Sequence, residues 1–165
     1  MPSLLFDARL ILSKPTGIGQ YIASLLPELW RQAPDWHIHL LRGPSPWSGY
    51  GTVQWQAPNL TQHVSKKRQM SLSQHFMLPS LAQKLDVDLV HYPHFDAPVL
   101  HQPIPVVATL YDAKYLVRPD FFTNLSHIKP LYMRFCFAQT LRRAAGVITI
   151  SQATVNDLRR LFGET

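Results

Sequence analysis

The chain has 165 residues, 46% of them hydrophobic, with a formal net charge of +6. That length allows one domain with a substantial core, and the composition excludes disordered and collagen-like classes. The charge suggests an anionic partner without choosing among nucleic acid, nucleotide and membrane surface, and it equally fits a basic solvated face.

Leu4-Leu5-Phe6 is a short apolar run that predicts a first strand, and Thr16-Gly17-Ile18-Gly19 follows it as a glycine loop. A strand that ends in such a loop and reopens as a helix aims unpaired backbone N–H groups at one spot. The positive end of the helix dipole adds to them, so the spot suits a phosphate or a sugar hydroxyl. The helix is expected from about Gly17 to Gln32, with Ile18, Ile22, Leu25, Leu26 and Leu29 in one stripe and Pro27 bending or shortening it. His37 to Leu41 alternates and reads as a second strand.

From Gly43 to about Ser65 the chain reads as a long irregular region rich in Gly, Pro and Trp, closing on Lys66-Lys67-Arg68. Pro79 suits the first turn of a short helix, Ser80 to Leu85. Val87 to His91, Val106 to Leu110 and Val147 to Ile150 are unbroken β-branched runs, as in parallel strands covered on both faces. Between the last two, Ile128, Leu131, Tyr132, Phe135 and Leu141 form a helical stripe, with Arg142 and Arg143 near its C-terminal end. Ser151 is placed to cap a last helix carrying Val155, Leu158 and Phe162, with Gly163 as its stop. Strand and helix alternate, which predicts a Rossmann-like, doubly wound, mainly parallel α/β sheet with helices on both faces.

Cys136 is the single cysteine, so an internal disulfide is excluded and a reducing compartment is expected. It reads as core filler between Phe135 and Phe137. No apolar run approaches the roughly 20 residues of a membrane span. Met1-Pro2-Ser3 lacks the basic stretch of a signal peptide, so the expected location is cytoplasmic.

Ligands of open α/β sheets bind beyond the carboxyl ends of the strands. The polar residues there are Asp7, Arg9 and the Thr16–Gly19 loop; His91, His94 and Asp96; Tyr111, Asp112 and Lys114; and Ser151 and Thr154. Each also has a plain reading. Gly17 and Gly19 permit a tight turn and close packing; His91 continues a strand and reads as packed; Asp112 can cap a turn. Metal binding fits poorly, because none of the eight histidines pairs at i+4 on an evident helix. No Gly-x-Ser-x-Gly elbow follows a strand, and no base-stacking motif accompanies the dispersed basic residues, so nucleic acid is not an expected partner.

Read in order, these pieces resemble the N-terminal domain of the family-four (group 1) glycosyltransferases of GT-B architecture. The resemblance rests on Asp7-Ala8-Arg9, Thr16-Gly17-Ile18-Gly19-Gln20-Tyr21, Asp86-Val87-Asp88-Leu89-Val90-His91, Val106-Val107-Ala108-Thr109-Leu110-Tyr111-Asp112 and Leu141 through Ser151. It implies sugar transfer from a nucleotide-sugar donor to a saccharide or lipid-linked acceptor, with retention of configuration and no metal or other cofactor. Thr16, Gly17, Gly19, Tyr111 and Ser151 become the expected contacts to donor phosphate or acceptor, and Asp112 and His94 the catalytic candidates. Many members have His-Asp where this chain has Tyr111-Asp112, so a histidine's role is not transferred to Tyr111. The paired glutamates and the diphosphate-neutralising cations of the family belong to a C-terminal, donor-binding domain, the linker to which would begin at Thr165, so residues 1–165 alone are expected to be inactive. Two other readings stay open. One is a non-catalytic scaffold on an anionic membrane at the inner face of the cell, through Lys66–Arg68 with Met70 and Leu72. The other is a GT-B sugar-nucleotide epimerase.

Overall fold

The computed structural model describes residues 1–44, 50, 55–67, 69, 71, 73–121 and 128–163. Arg68, Met70, Leu72 and Thr165 lie outside the described residues, as does the side chain of Ile128. The sheet has six strands: β1 (Ser3–Asp7), β2 (His37–Arg42), β3 (Leu60–Val64), β4 (Leu89–Tyr92), β5 (Val106–Leu110) and β6 (Gly146–Thr149). Their spatial order is β3-β2-β1-β4-β5-β6, and every pairing is parallel. This is the doubly wound Rossmann order, with its reversal between β1 and β4.

The alternation along β1 builds the core. Leu4 and Phe6 face α1 (Gly17–Gln32), packing with Ile22, Ala23 and Leu26. Leu5 faces the opposite side and joins Leu78 and Ala82 of α2 (Gln74–Lys84). A third cluster joins Phe95 and Leu110 to Met133, Cys136 and Phe137 of α4 (Ile128–Arg143) and Leu158 of α5 (Gln152–Phe162). The short α3 (Lys114–Val117) follows β5. Among the described residues no helix is long and apolar enough to cross a membrane.

Several local expectations are corrected. The region read as irregular contains β3, whose sequence Leu-Thr-Gln-His-Val has a polar centre; its pairing to β2, and the Asn59 amide gripping the carbonyls of Trp30, Ala33 and Trp36, hold it in place. Helix α1 keeps its full span through Pro27, so burial of its inner face offsets the roughly 3 kcal/mol a mid-helix proline costs. Helix α2 starts at Gln74, which places Pro79 mid-helix instead of in a first turn. On α4 the inward face is Met133, Cys136, Phe137 and Thr140; Leu131 is 71% exposed and Phe135 49%. Strand β6 is an edge strand, and Ile148 is 41% exposed, so it is not covered on both faces. Cys136 is buried as expected, and burial pushes its thiol up to about 11.

The turn from α2 into β4 is closed by Val87 N–H donating to the Ala82 carbonyl and Asp86 N–H to the Gln83 carbonyl. This is the Schellman pattern, and it holds Asp86 at φ 52°, a region that favours glycine. Asp86→Gly is expected to stabilise the protein by about 1 kcal/mol, a rise in thermal midpoint of about 2–4 °C.

Two histidines tie the sheet to pH. His91 in β4 packs tilted against Phe6, ring centroids 4.5 Å apart, and bonds Thr109 at 2.8 Å; burial pushes its imidazole down to about 4. His39, half-buried beside His37 and His63, is also pushed down to about 4, chiefly by desolvation. The unfolded chain takes up these protons near 6.5, whereas the folded chain resists them until about 4. Stability is therefore full above the higher value and is lost as the pH falls through that window. Urea melts across it should show a falling midpoint, and His91→Gln should flatten the slope.

Candidate functional site

Thr16 caps α1: its Oγ1 accepts the Gly19 N–H at 3.0 Å. The Thr16 N–H itself donates to the Tyr50 hydroxyl, 3.2 Å away, which in turn donates to the Lys14 carbonyl. Among the described residues this leaves the Gly17 and Ile18 N–H groups without a hydrogen-bond partner. The two glycines differ. A Cβ on Gly19 would collide with the buried Tyr50 side chain, 2.6 Å from Cζ, whereas one on Gly17 meets nothing within 4 Å. Gly19 makes room for the tyrosine that props the loop; Gly17 faces open space at the start of the helix.

Beside this loop lies a cleft of about 160 Å³ lined by Ile18, His94, Phe95, Tyr111, Asp112, Lys114 and Tyr115. It opens at the carboxyl ends of β4 and β5, next to the point where strand order reverses. The β4 loop is tightly held. The His94 N–H donates to the Tyr92 carbonyl at 2.9 Å, and the Thr140 hydroxyl to the Phe95 carbonyl at 2.8 Å. Asp96 is buried, and its Oδ1 lies 2.6 Å from His94 Nδ1, while its Oδ2 accepts from Gln74 at 2.5 Å. The Tyr92 hydroxyl sits 2.8 Å from Gln74 Oε1 and 3.1 Å from Asp96 Oδ1. Burial opposes the Asp96 charge, but the donors from His94, Gln74 and Tyr92 outweigh it and hold the carboxyl below its usual range. Tyr92, fully buried beside that carboxylate, stays protonated.

Tyr111 stands edge-on to Tyr21 at 5.3 Å, and its hydroxyl is buried without a hydrogen-bond partner among the described residues. Burial, with the nearby Tyr21, pushes that phenol well up, so it is a proton donor at all ordinary pH. Asp112 is exposed, and its Oδ1 accepts the Lys114 N–H at 3.1 Å, an Asx turn at the rim of the cleft. Ser151 caps α5 by accepting the Thr154 N–H, and the Thr154 hydroxyl donates to the Tyr111 carbonyl at 2.9 Å. Ser151 thus bears on the cleft through Tyr111's backbone and is not in its lining.

The structure gathers His94, Tyr111, Asp112 and Ile18 of the glycine loop, and sends Asp7 and Arg9 elsewhere. Arg9 is buried and grips Asp7 with two bonds, Nε to Oδ1 at 2.9 Å and Nη2 to Oδ2 at 2.6 Å; its Nη1 donates to the Lys67 carbonyl. Although burial works against its charge, Asp7 keeps the guanidinium firmly protonated. With Lys66, Lys67, Ser65 and Gln69 it lines a separate cavity of about 600 Å³ past β1–β3, whose lining holds no carboxylate among the described residues. His91 is the packed residue expected. Sequence reasoning set Asp96 at a strand end without giving it a role, and passed over Gln74 and Tyr50. The His94-x-Asp96 spacing was a readable signal for the first; nothing local marks the other two.

A doubly wound domain with a polar cleft at its switch point defines the class of Rossmann-like α/β domains that place their ligand sites at the carboxyl ends of parallel strands. The particular family follows from the sequence profile of Glycosyltransferase Family 4, which matches residues 15–165; the chain belongs to that family, the N-terminal domain of GT-B glycosyltransferases. No curated protein matches the chain.

The glycine contrast has a direct check in thermal melts. Gly17→Ala should leave the midpoint unchanged or slightly raised, since alanine is the better helix former. Gly19→Ala should lower stability by about 1–3 kcal/mol through overpacking against Tyr50.

Proposed function

We propose that this domain is the acceptor-side half of a retaining, metal-independent glycosyltransferase that takes its sugar from a nucleotide-sugar donor. The observation that carries the reading is the pair of unpartnered N–H groups at Gly17 and Ile18, beside a polar cleft in a Glycosyltransferase Family 4 domain. Their field favours a donor diphosphate as it gains charge on departure, the kind of stabilisation worth about 3 kcal/mol per donor group. The retaining outcome and the absence of a metal follow from the family resemblance. The nucleotide pocket and the cations that neutralise the diphosphate are assigned to a second domain, so the domain by itself transfers no sugar.

The acceptor is a saccharide or a lipid-linked saccharide bearing an anionic group. Support for the anion comes from the basic 600 Å³ cavity edged by the exposed Lys66 and Lys67. Such an acceptor makes the enzyme cytoplasmic with a peripheral membrane contact.

In the enzyme carrying both domains, Gly17→Ala should raise the donor KM about tenfold while the thermal midpoint holds. Unchanged kinetics would leave the loop with a packing role. Transfer should persist in a chelator and give a product of the donor's anomeric configuration by proton NMR; loss of activity on metal removal would contradict the reading.

A further inference from the structure

The β4 loop carries more construction than a cleft wall needs. Phe95 is stacked on Phe137 at 4.7 Å, its carbonyl is pinned by Thr140, and Asp96 on its other side is bonded to three side chains. These bonds leave His94 with one face on Phe95, at 4.3 Å, and its Nδ1 on the Asp96 carboxylate. A charged carboxylate only accepts, so Nδ1 carries a proton toward Asp96, and in the neutral form of the ring the lone pair lies on Nε2. Nε2 has no hydrogen-bond partner among the described residues, and the ring lines the cleft. Tyr111 stands in the same lining, with its hydroxyl buried behind the cleft surface. A fixed acceptor in a polar cleft of about 160 Å³ matches a sugar, each of whose hydroxyls can give a hydrogen bond.

We propose that His94 is a sugar-binding residue that accepts a hydrogen bond from a sugar hydroxyl at Nε2, and that Asp96 is its positioning residue, holding the ring in the accepting tautomer. The proposal rests on the glycosyl-transfer reading for the choice of a sugar as ligand. Asp96→Asn tests the tautomer directly. Gln74 donates to Oδ2, so the asparagine turns its oxygen toward Gln74 and its NH₂ toward His94. Nδ1 must then accept, and the proton moves to Nε2.

The experiment is ¹⁵N–¹H NMR of the histidine rings in the chain, titrated with free glucose, mannose and galactose as probes. Expected are the Nδ1–H tautomer for His94 and a saturable shift of its Nε2 with at least one hexose. Asp96→Asn should show the Nε2–H tautomer and bind that hexose about tenfold more weakly, the loss of one hydrogen bond. His94→Gln, which leaves Asp96 in place, repeats the affinity test should Asp96→Asn fail to fold. An Nε2–H tautomer in the unmodified chain overturns the proposal. So does a hexose that shifts Gly17, Ile18 or Tyr111 but leaves His94 unmoved, an outcome that keeps the glycosyl-transfer reading. If no hexose shifts any cleft residue, sugar recognition by this cleft is overturned, and transfer by the two-domain enzyme still judges the wider reading.

Discussion

The position of β1 in the sheet is the constraint on which the rest depends. It is hydrogen-bonded along both edges, to β2 and β4, and all five of its residues are buried, with Leu4 and Phe6 on one face and Leu5 on the other. A strand with parallel neighbours on both sides needs crossovers to both, and right-handed crossovers carry the chain over opposite faces. Helix α1 accordingly returns over one face to β2, and α2 over the other to β4. The connections part company above the carboxyl ends of β1 and β4, and a crevice is left there by topology alone.

That crevice then acquires its polarity by a route that works against burial. Asp96, Gln74 and Tyr92 are polar groups removed from water, each of which would cost a few kcal/mol if left unpaired. They are paired with one another and with His94, and the loop that carries them is fixed by Thr140 from α4. The same arrangement that satisfies the buried groups decides which nitrogen of His94 meets the cleft. Across the crevice, Tyr50 props the glycine loop while Thr16 takes one of the helix's first donors, leaving the two before it open. Rigid supports on both walls spare a ligand the cost of ordering them.

The contrast between Gly17 and Gly19 separates two roles that the motif alone merges. Gly19 answers to Tyr50, 31 positions along the chain, and is a packing glycine. Gly17 has open space where a Cβ would stand, so among the described residues no packing contact requires the missing side chain.

Much of the fold was legible because parallel strands buried on both faces leave unbroken β-branched runs, and Thr16 and Ser151 mark helix starts by local chemistry. Strand β3 was illegible: its Thr-Gln-His centre carries no apolar period, and it exists through pairing with β2. The inward face of α4 was misread because Leu131 and Phe135 share a helical stripe with residues that do turn inward, and only docking against Phe95 and Leu110 selects Phe137 and Met133. For the site, the sequence by itself determined the fold class, the glycine loop and the run of polar residues at strand ends, since each is a matter of near neighbours along the chain. Tertiary structure alone decided that Gln74 meets Asp96, that Thr140 pins the Phe95 carbonyl, and that Tyr50 props the glycine loop. Those outcomes depend on which side chains meet across the sheet, and no local spacing encodes such meetings.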